Sequence, residues 1–128
     1  MAKFRSWNGK CFIYFEDGKY YFIAKSIEPE LKEIASFKDF NWKNAEQFIN
    51  LHDENKRDLY CGDFVEIAID VCADGYFVTR TYKAEIKKDK FGFYFYINKY
   101  LQYYFNECIT DEESQLKYIG NIHEGETK

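Results

Sequence analysis

The sequence predicts a mixed α+β fold dominated by antiparallel strands, and three observations carry that prediction. Asp17-Gly18 and Asp74-Gly75 each stand beside runs of aromatic and β-branched residues. Such pairs supply the positive φ that a tight hairpin turn demands. Val65, Ile67, Ile69 and Val71 alternate with Glu66 and Asp70, the two-residue period of a half-buried strand. Aromatic residues make up 21% of the chain and proline occurs once, a composition that argues against disorder.

The chain opens with a hairpin: the runs Cys11 to Phe15 and Tyr20 to Ile23 flank Asp17-Gly18, and Asn8-Gly9 signals an earlier turn. Helical signals follow. Ser26 to Leu31 combines a capping residue, Pro29 and acidic residues suited to a first turn, with Leu31, Ile34 and Ala35 falling on one face. A second short helix is expected from Trp42 to Leu51, capped by Asn41, with Ala45, Phe48 and Ile49 as its apolar stripe. From Asp58 the chain turns to β. Strands are expected from Phe64 to Val71, from Tyr76 to Tyr82 with an extension to Lys88, and from Phe93 to Ile97. Tyr100, Leu101, Tyr104, Phe105 and Cys108 share an i, i+4 face, so a third short helix is expected there. A last strand runs from Gln115 to Glu124, and Gly120 inside it suits a bulge or a close backbone crossing.

At 128 residues and 15.5 kDa the chain is expected to form one domain, with 1–57 as a hairpin plus short helices, 58–124 as a β half and 125–128 as a frayed tail. A chain of this size buries roughly 65–70% of its unfolded surface, enough to fold without staples. The net charge of −4 and pI near 5.2 have the wrong sign for a protein that coats nucleic acid non-specifically. No apolar run is long enough to span a membrane, and the start, Met1 to Asn8, is too polar for a signal peptide. A cytoplasmic location is expected. Cys11, Cys61, Cys72 and Cys108 contain no C-x-x-C spacing and are expected as reduced thiols. With His52 and His123 as the only histidines, no metal site is expected.

Three segments then resemble the YopX family, small phage and prophage proteins. Lys3 to Lys10, KFRSWNGK, is similar to the family's opening KFRAWD. Leu51 to Val65, LHDENKRDLYCGDFV, is similar to its LKDKNGKEIYEGDIV element. Leu116 to Glu124, LKYIGNIHE, is similar to its closing VIGNIYEN. The matches fall in order and reach both ends. Departures include Arg57, Cys61 and the tyrosine-rich stretch from Phe91 to Phe105. The resemblance implies a mainly β, partly barrel-like fold in the cytoplasm of a bacterial host cell, and it implies no activity. With it, the half after Asp58 is expected to be SH3-like or a pseudo-barrel.

Chemistry-bearing motifs are scarce. No glycine-rich phosphate loop, serine nucleophile elbow or H-E-x-x-H occurs, so no enzyme and no cofactor are expected. A pairing of Cys61 with His123 has no support in the spacing. Gly62-Asp63 reads as a strand entry, with Asp63 bonding local backbone N–H groups. Arg5 is expected to stack or pair with an acid while Trp7 caps a core.

Two surfaces remain. Thr79 to Lys90 holds Arg80, Lys83, Lys87, Lys88 and Lys90 against Glu85 and Asp89, five minus two or +3. With the aromatic residues that follow, such a hairpin could track phosphates and stack bases. Lysines at a hairpin tip also serve as a guard against edge pairing. Tyr94, Tyr96, Tyr100, Tyr103 and Tyr104 could form an interaction face, since tyrosine buries large area at low entropy cost, or could complete the core. The expected role is therefore a non-enzymatic phage or prophage accessory protein acting through a protein partner or a homo-oligomer. A nucleic-acid-binding module is the alternative, and no membrane partner is expected.

Overall fold

The computed structural model describes residues 2–24, 31–105 and 115–126. The chain divides into two compact units, Met1–Phe48 and Ile49–Lys128. Both are built from antiparallel strands.

In the first unit, β1 (Lys3–Trp7), β2 (Phe12–Glu16), β3 (Lys19–Ala24) and β4 (Leu31–Ile34) form a meander in the order β4-β3-β2-β1. The hairpin between β2 and β3 turns at Asp17 and Gly18, with φ of 55° and 76°. Both turn residues are left-handed, as a two-residue hairpin requires. The outer side of β1 pairs with the start of β5 (Glu46–His52) at Phe4↔Gln47 and Arg5↔Glu46. Phe12, Ile13 and Phe40 are buried here.

The helices expected over 26–35 and from Trp42 to Leu51 are corrected to strand. Residues 31–34 pair with β3, from Tyr21↔Ile34 to Ala24↔Leu31, while residues 25–30 lie outside the described residues. Asn41 does cap, accepting from the Lys43 N–H, but the turn it starts is a single 3-10 turn, Trp42–Asn44. The chain is already extended at Ala45. Pairing with β1 and the ion pair of Glu46 with Arg5 give Glu46, Gln47 and Phe48 more than an isolated helical turn could, so tertiary context overrides local propensity.

The second unit contains β6 (Asp58–Tyr60), β7 (Asp63–Ala73), β8 (Tyr76–Asp89), β9 (Gly92–Asn98), β10 (Leu101–Tyr104), β11 (Leu116–Asn121) and β12 (Gly125–Glu126). Its sheet runs β10-β9-β8-β7-β11-β12. Alternation places Val65, Ile67, Ile69, Ala84, Ile86 and Phe95 on one face, where they pack with Ile49, Leu59 and Leu116 as the core. Gly120 lies at the break in register where β11 passes β7, the bulge its position suggests.

The expected helix from Tyr100 to Cys108 is also corrected. Leu101 to Tyr104 pair with β9, and residues 106–108 lie outside the described residues. Tyr94 and Tyr104 face each other with ring centroids 5.5 Å apart, an aromatic cross-strand pair of the kind that stabilises a sheet. An SH3-like or pseudo-barrel closure is not seen: among the described residues the ladder is open, ending at β10 and β12.

Candidate functional site

The polar residues of the signature segments are consumed by architecture. Asp53 is buried, and its carboxylate accepts from the N–H groups of Asn55 and Arg57 at 2.9 Å and of Tyr118 at 3.2 Å. Asp63 is fully buried and accepts from the Tyr60 N–H at 2.8 Å. Beside it, the Gly62 N–H donates to Ile86 and the Gly62 carbonyl accepts from Ile122, both at 2.9 Å. Asn121 donates to the Tyr118 hydroxyl and to Glu124, and accepts from the N–H groups of His123 and Glu124. Buried carboxylates tied this fully to local N–H groups hold turns together. In the first unit, Arg5 is buried with its Nε 2.8 Å from Glu46 and its guanidinium 4.2 Å from the Phe12 ring centre. Trp7 packs edge-on against Phe12 at 4.9 Å.

The basic set does not gather into one patch. Thr79 to Asp89 lies in the single strand β8, so Arg80 and Lys88 stand about 26 Å apart along it. They also divide between faces. Arg80, opposite Ile69, and Lys88, opposite Phe93, share the core-side parity; Lys83, opposite Glu66, and Lys87, opposite Tyr94, point to the other face. On that outer face Lys117, Glu66 and Lys83 follow one another across three strands, and Glu85 sits between Lys83 and Lys87. Opposite charges alternate. Lys87 lies 4.4 Å from the Tyr96 ring centre and Lys88 5.3 Å from that of Phe93.

The tyrosines divide as well. Tyr94, Tyr96 and Tyr104 share the outer face and are half-buried, whereas Tyr103 opposes Phe95 and packs on the core. Tyr100, 85% exposed, lies in the turn between β9 and β10, with Lys99 5.0 Å from its ring centre. An open cleft of about 270 Å³ beside Tyr96 is lined also by Phe64, Lys83, Glu85, Ile97 and Ile119. It holds one cation and one anion and brings no further titratable groups together. At the β8–β9 turn the Tyr104 hydroxyl donates to Asp89. That bond, with the N–H groups of Phe91 and Gly92 and the charge of Lys90, holds the Asp89 carboxyl below the usual carboxylate range despite slight desolvation.

One surface was not singled out by sequence reasoning. β7 and β8 are 11 and 14 residues long, against 7 for β9 and 6 for β11. β9 pairs with β8 only from Glu85, and β11 with β7 only as far as Ile67. Among the described residues the ends of β7 and β8 therefore continue as a two-stranded arm, closed by Asp74-Gly75. Near its tip Tyr76, Phe77 and Val78 are 75%, 80% and 39% exposed. The available signal was length: alternation continues on both sides of Asp74-Gly75 for longer than the neighbouring strands can match.

Among the described residues no His, Cys, Asp and Glu group could hold a metal ion. Cys11, Cys61 and Cys72 are free thiols, and Cys108 lies outside the described residues. No helix among the described residues is long and apolar enough to cross a membrane. No curated protein and no solved structure matches the chain. The family described as YopX protein matches residues 3–126. That span takes in both ends and the buried Asp53, Asp63 and Asn121 clips, and the chain belongs to the YopX protein family.

Proposed function

We propose that this protein is a non-enzymatic interaction module, of the phage-type accessory kind that works in the bacterial cytoplasm, and that its β7–β8 arm is the surface that meets a protein partner. The exposure of Tyr76, Phe77 and Val78 near the tip of the arm carries this reading. Exposed apolar residues outside the core, here Tyr76 and Val78 on one face of the arm and Phe77 on the other, mark contact sites. Large aromatic groups are also the side chains that dominate binding energy. The outer-face tyrosines add half-buried rings rather than a second apolar patch. The decisive experiment captures tagged protein from host cells with its bound proteins, comparing the native chain with Tyr76→Ser/Phe77→Ser. Loss of the bound protein in the variant is expected. Unchanged capture removes the arm from the interaction.

A second reading, nucleic-acid binding, draws on Lys87, Lys88 and Lys90 gathered at the β8–β9 turn beside Phe91, 75% exposed. Asp89 lies among them and lowers the local potential. Binding through this turn would fall steeply with salt. No mobility shift with single-stranded or duplex probes at low salt would eliminate it.

A further inference from the structure

The backbone of the arm carries an inference about its partner. In an antiparallel pair, opposed residues alternate between pairs that bond each other and pairs whose N–H and C=O groups point outward. The Ala68 carbonyl accepts from Gln115 Nε2 at 3.1 Å, so it points away from β8, and Ala68↔Thr81 is an outward pair. By alternation Asp70↔Thr79 and Cys72↔Phe77 are outward pairs too. Phe77, Thr79 and Thr81 thus turn their backbone groups to the β8 edge of the arm, where no described strand pairs. On the β7 edge Gln115 already occupies Ala68, leaving Asp70 and Cys72.

This open edge differs from the ends of the sheet. β10 has four residues and a register shift at Leu101/Gln102, and β12 has two residues. Short, irregular edges discourage strand addition. The β8 edge from Tyr76 to Tyr82 is long and regular and carries no proline or bulge.

We propose that two copies of this chain join through β8, pairing Tyr76–Tyr82 antiparallel about a two-fold axis at Thr79. This deepens, and rests on, the reading of the arm as the interaction surface. The register is self-selecting. Thr79 is the midpoint of Tyr76–Tyr82, so an axis there overlaps that whole segment and stops short of Glu85, where β9 begins to pair. Thr79 is also an outward residue, so Thr79 meets its own copy and Phe77 meets Thr81 in the bonding phase, for roughly six main-chain hydrogen bonds. On the core-side face Tyr76 opposes Tyr82 and Val78 opposes Arg80, with no like charges in register. Moving the axis to Arg80 sets two guanidiniums face to face, and moving it to Val78 shortens the overlap. Because the contact is isologous it closes at two copies.

Sedimentation of the full chain over a concentration series tests this, with Thr79→Pro as the selective variant. Proline at an outward position removes the edge donor and the Thr79 hydroxyl bond to Asp70 while sparing the β7–β8 ladder, and it is tolerated there. The native chain is expected to dimerise, and Thr79→Pro to weaken the dimer roughly ten- to hundredfold through two lost axial bonds. If Thr79→Pro fails to fold, a mixture of Val78→Cys chains and Arg80→Cys chains in a Cys11→Ser/Cys72→Ser background decides, because only the Thr79-centred register sets position 78 of one copy opposite position 80 of the other. A native chain that stays monomeric, or no cross-link, overturns the pairing. If the monomer still loses a different captured protein on Tyr76→Ser/Phe77→Ser, the arm reading survives while the pairing falls. If those substitutions change neither mass nor capture, both fall.

Discussion

The two ends of the β7–β8 ladder share strands, alternation and chain direction, yet they live in different environments. At one end Val65, Ile67, Ala84 and Ile86 are buried in the core; at the other Tyr76, Phe77 and Val78 continue the strand into solvent. The difference is in the neighbours. β11 and β9 flank the first end, Ile49, Leu59 and Phe95 cover it, and nothing described flanks the second. A two-stranded ribbon is marginal alone, so the arm is held by the ladder it extends. Periodicity therefore specifies a strand, and only the third element specifies burial.

The largest expected effect tests that contrast. Phe95→Ala removes a fully buried ring from the core and should cost about 3–5 kcal/mol in denaturant unfolding. Phe77→Ala, the same change on the arm, should stay within about 0.5 kcal/mol. Comparable losses at both sites would show that the arm is buried in the isolated protein.

Polar groups give a smaller contrast. Asp63→Ala strands the buried Tyr60 N–H and should cost about 1–3 kcal/mol. Asp70→Ala, which loses a bond to the exposed Thr79 hydroxyl, should fall within about 0.5 kcal/mol. Equal losses in a urea titration would contradict the assignment of Asp63 to architecture.

Much of this was legible in the residues. Asp17-Gly18 and Asp74-Gly75 announced their hairpins because two consecutive positive φ values leave few alternatives to Asn, Asp and Gly. Gly62-Asp63 read as a strand entry because a short carboxylate next to glycine bonds local N–H groups. The helices failed where a short apolar stripe fits two periods. Ala45, Phe48 and Ile49 suit a helix, but β1 offers Glu46 and Gln47 partners that lie about forty residues away in the chain, and no local signal reports them. The arm was missed for a related reason. A run of alternating residues does not say where its neighbours stop, and the exposure of Tyr76 and Phe77 depends on β9 ending short of them.

Gly75→Ala probes the arm without touching the core. Gly75 has φ of 84° and open space around it, so the cost is backbone strain alone, about 1 kcal/mol. Amide exchange should quicken in residues 70–80 and stay unchanged around Val65 and Ile86. Faster exchange throughout the ladder would mean that the arm and the core open as one unit.

The smallest effect lies at the other end of β8, where Asp89 is held ionised chiefly by the Tyr104 hydroxyl. Its folded pKa lies below the unfolded value, so the folded state binds its proton less readily. The stability this contributes is present above the unfolded carboxylate pKa and is lost as pH falls through the folded value. Tyr104→Phe removes the leading cause and leaves the N–H groups of Phe91 and Gly92 in place. The Asp89 midpoint, followed by carboxyl NMR titration, should therefore move up toward the ordinary range without reaching it. An unmoved midpoint would transfer the effect to the turn backbone and Lys90, and the β8–β9 turn would then be ordered by its own residues rather than by the Tyr104 hydroxyl of β10.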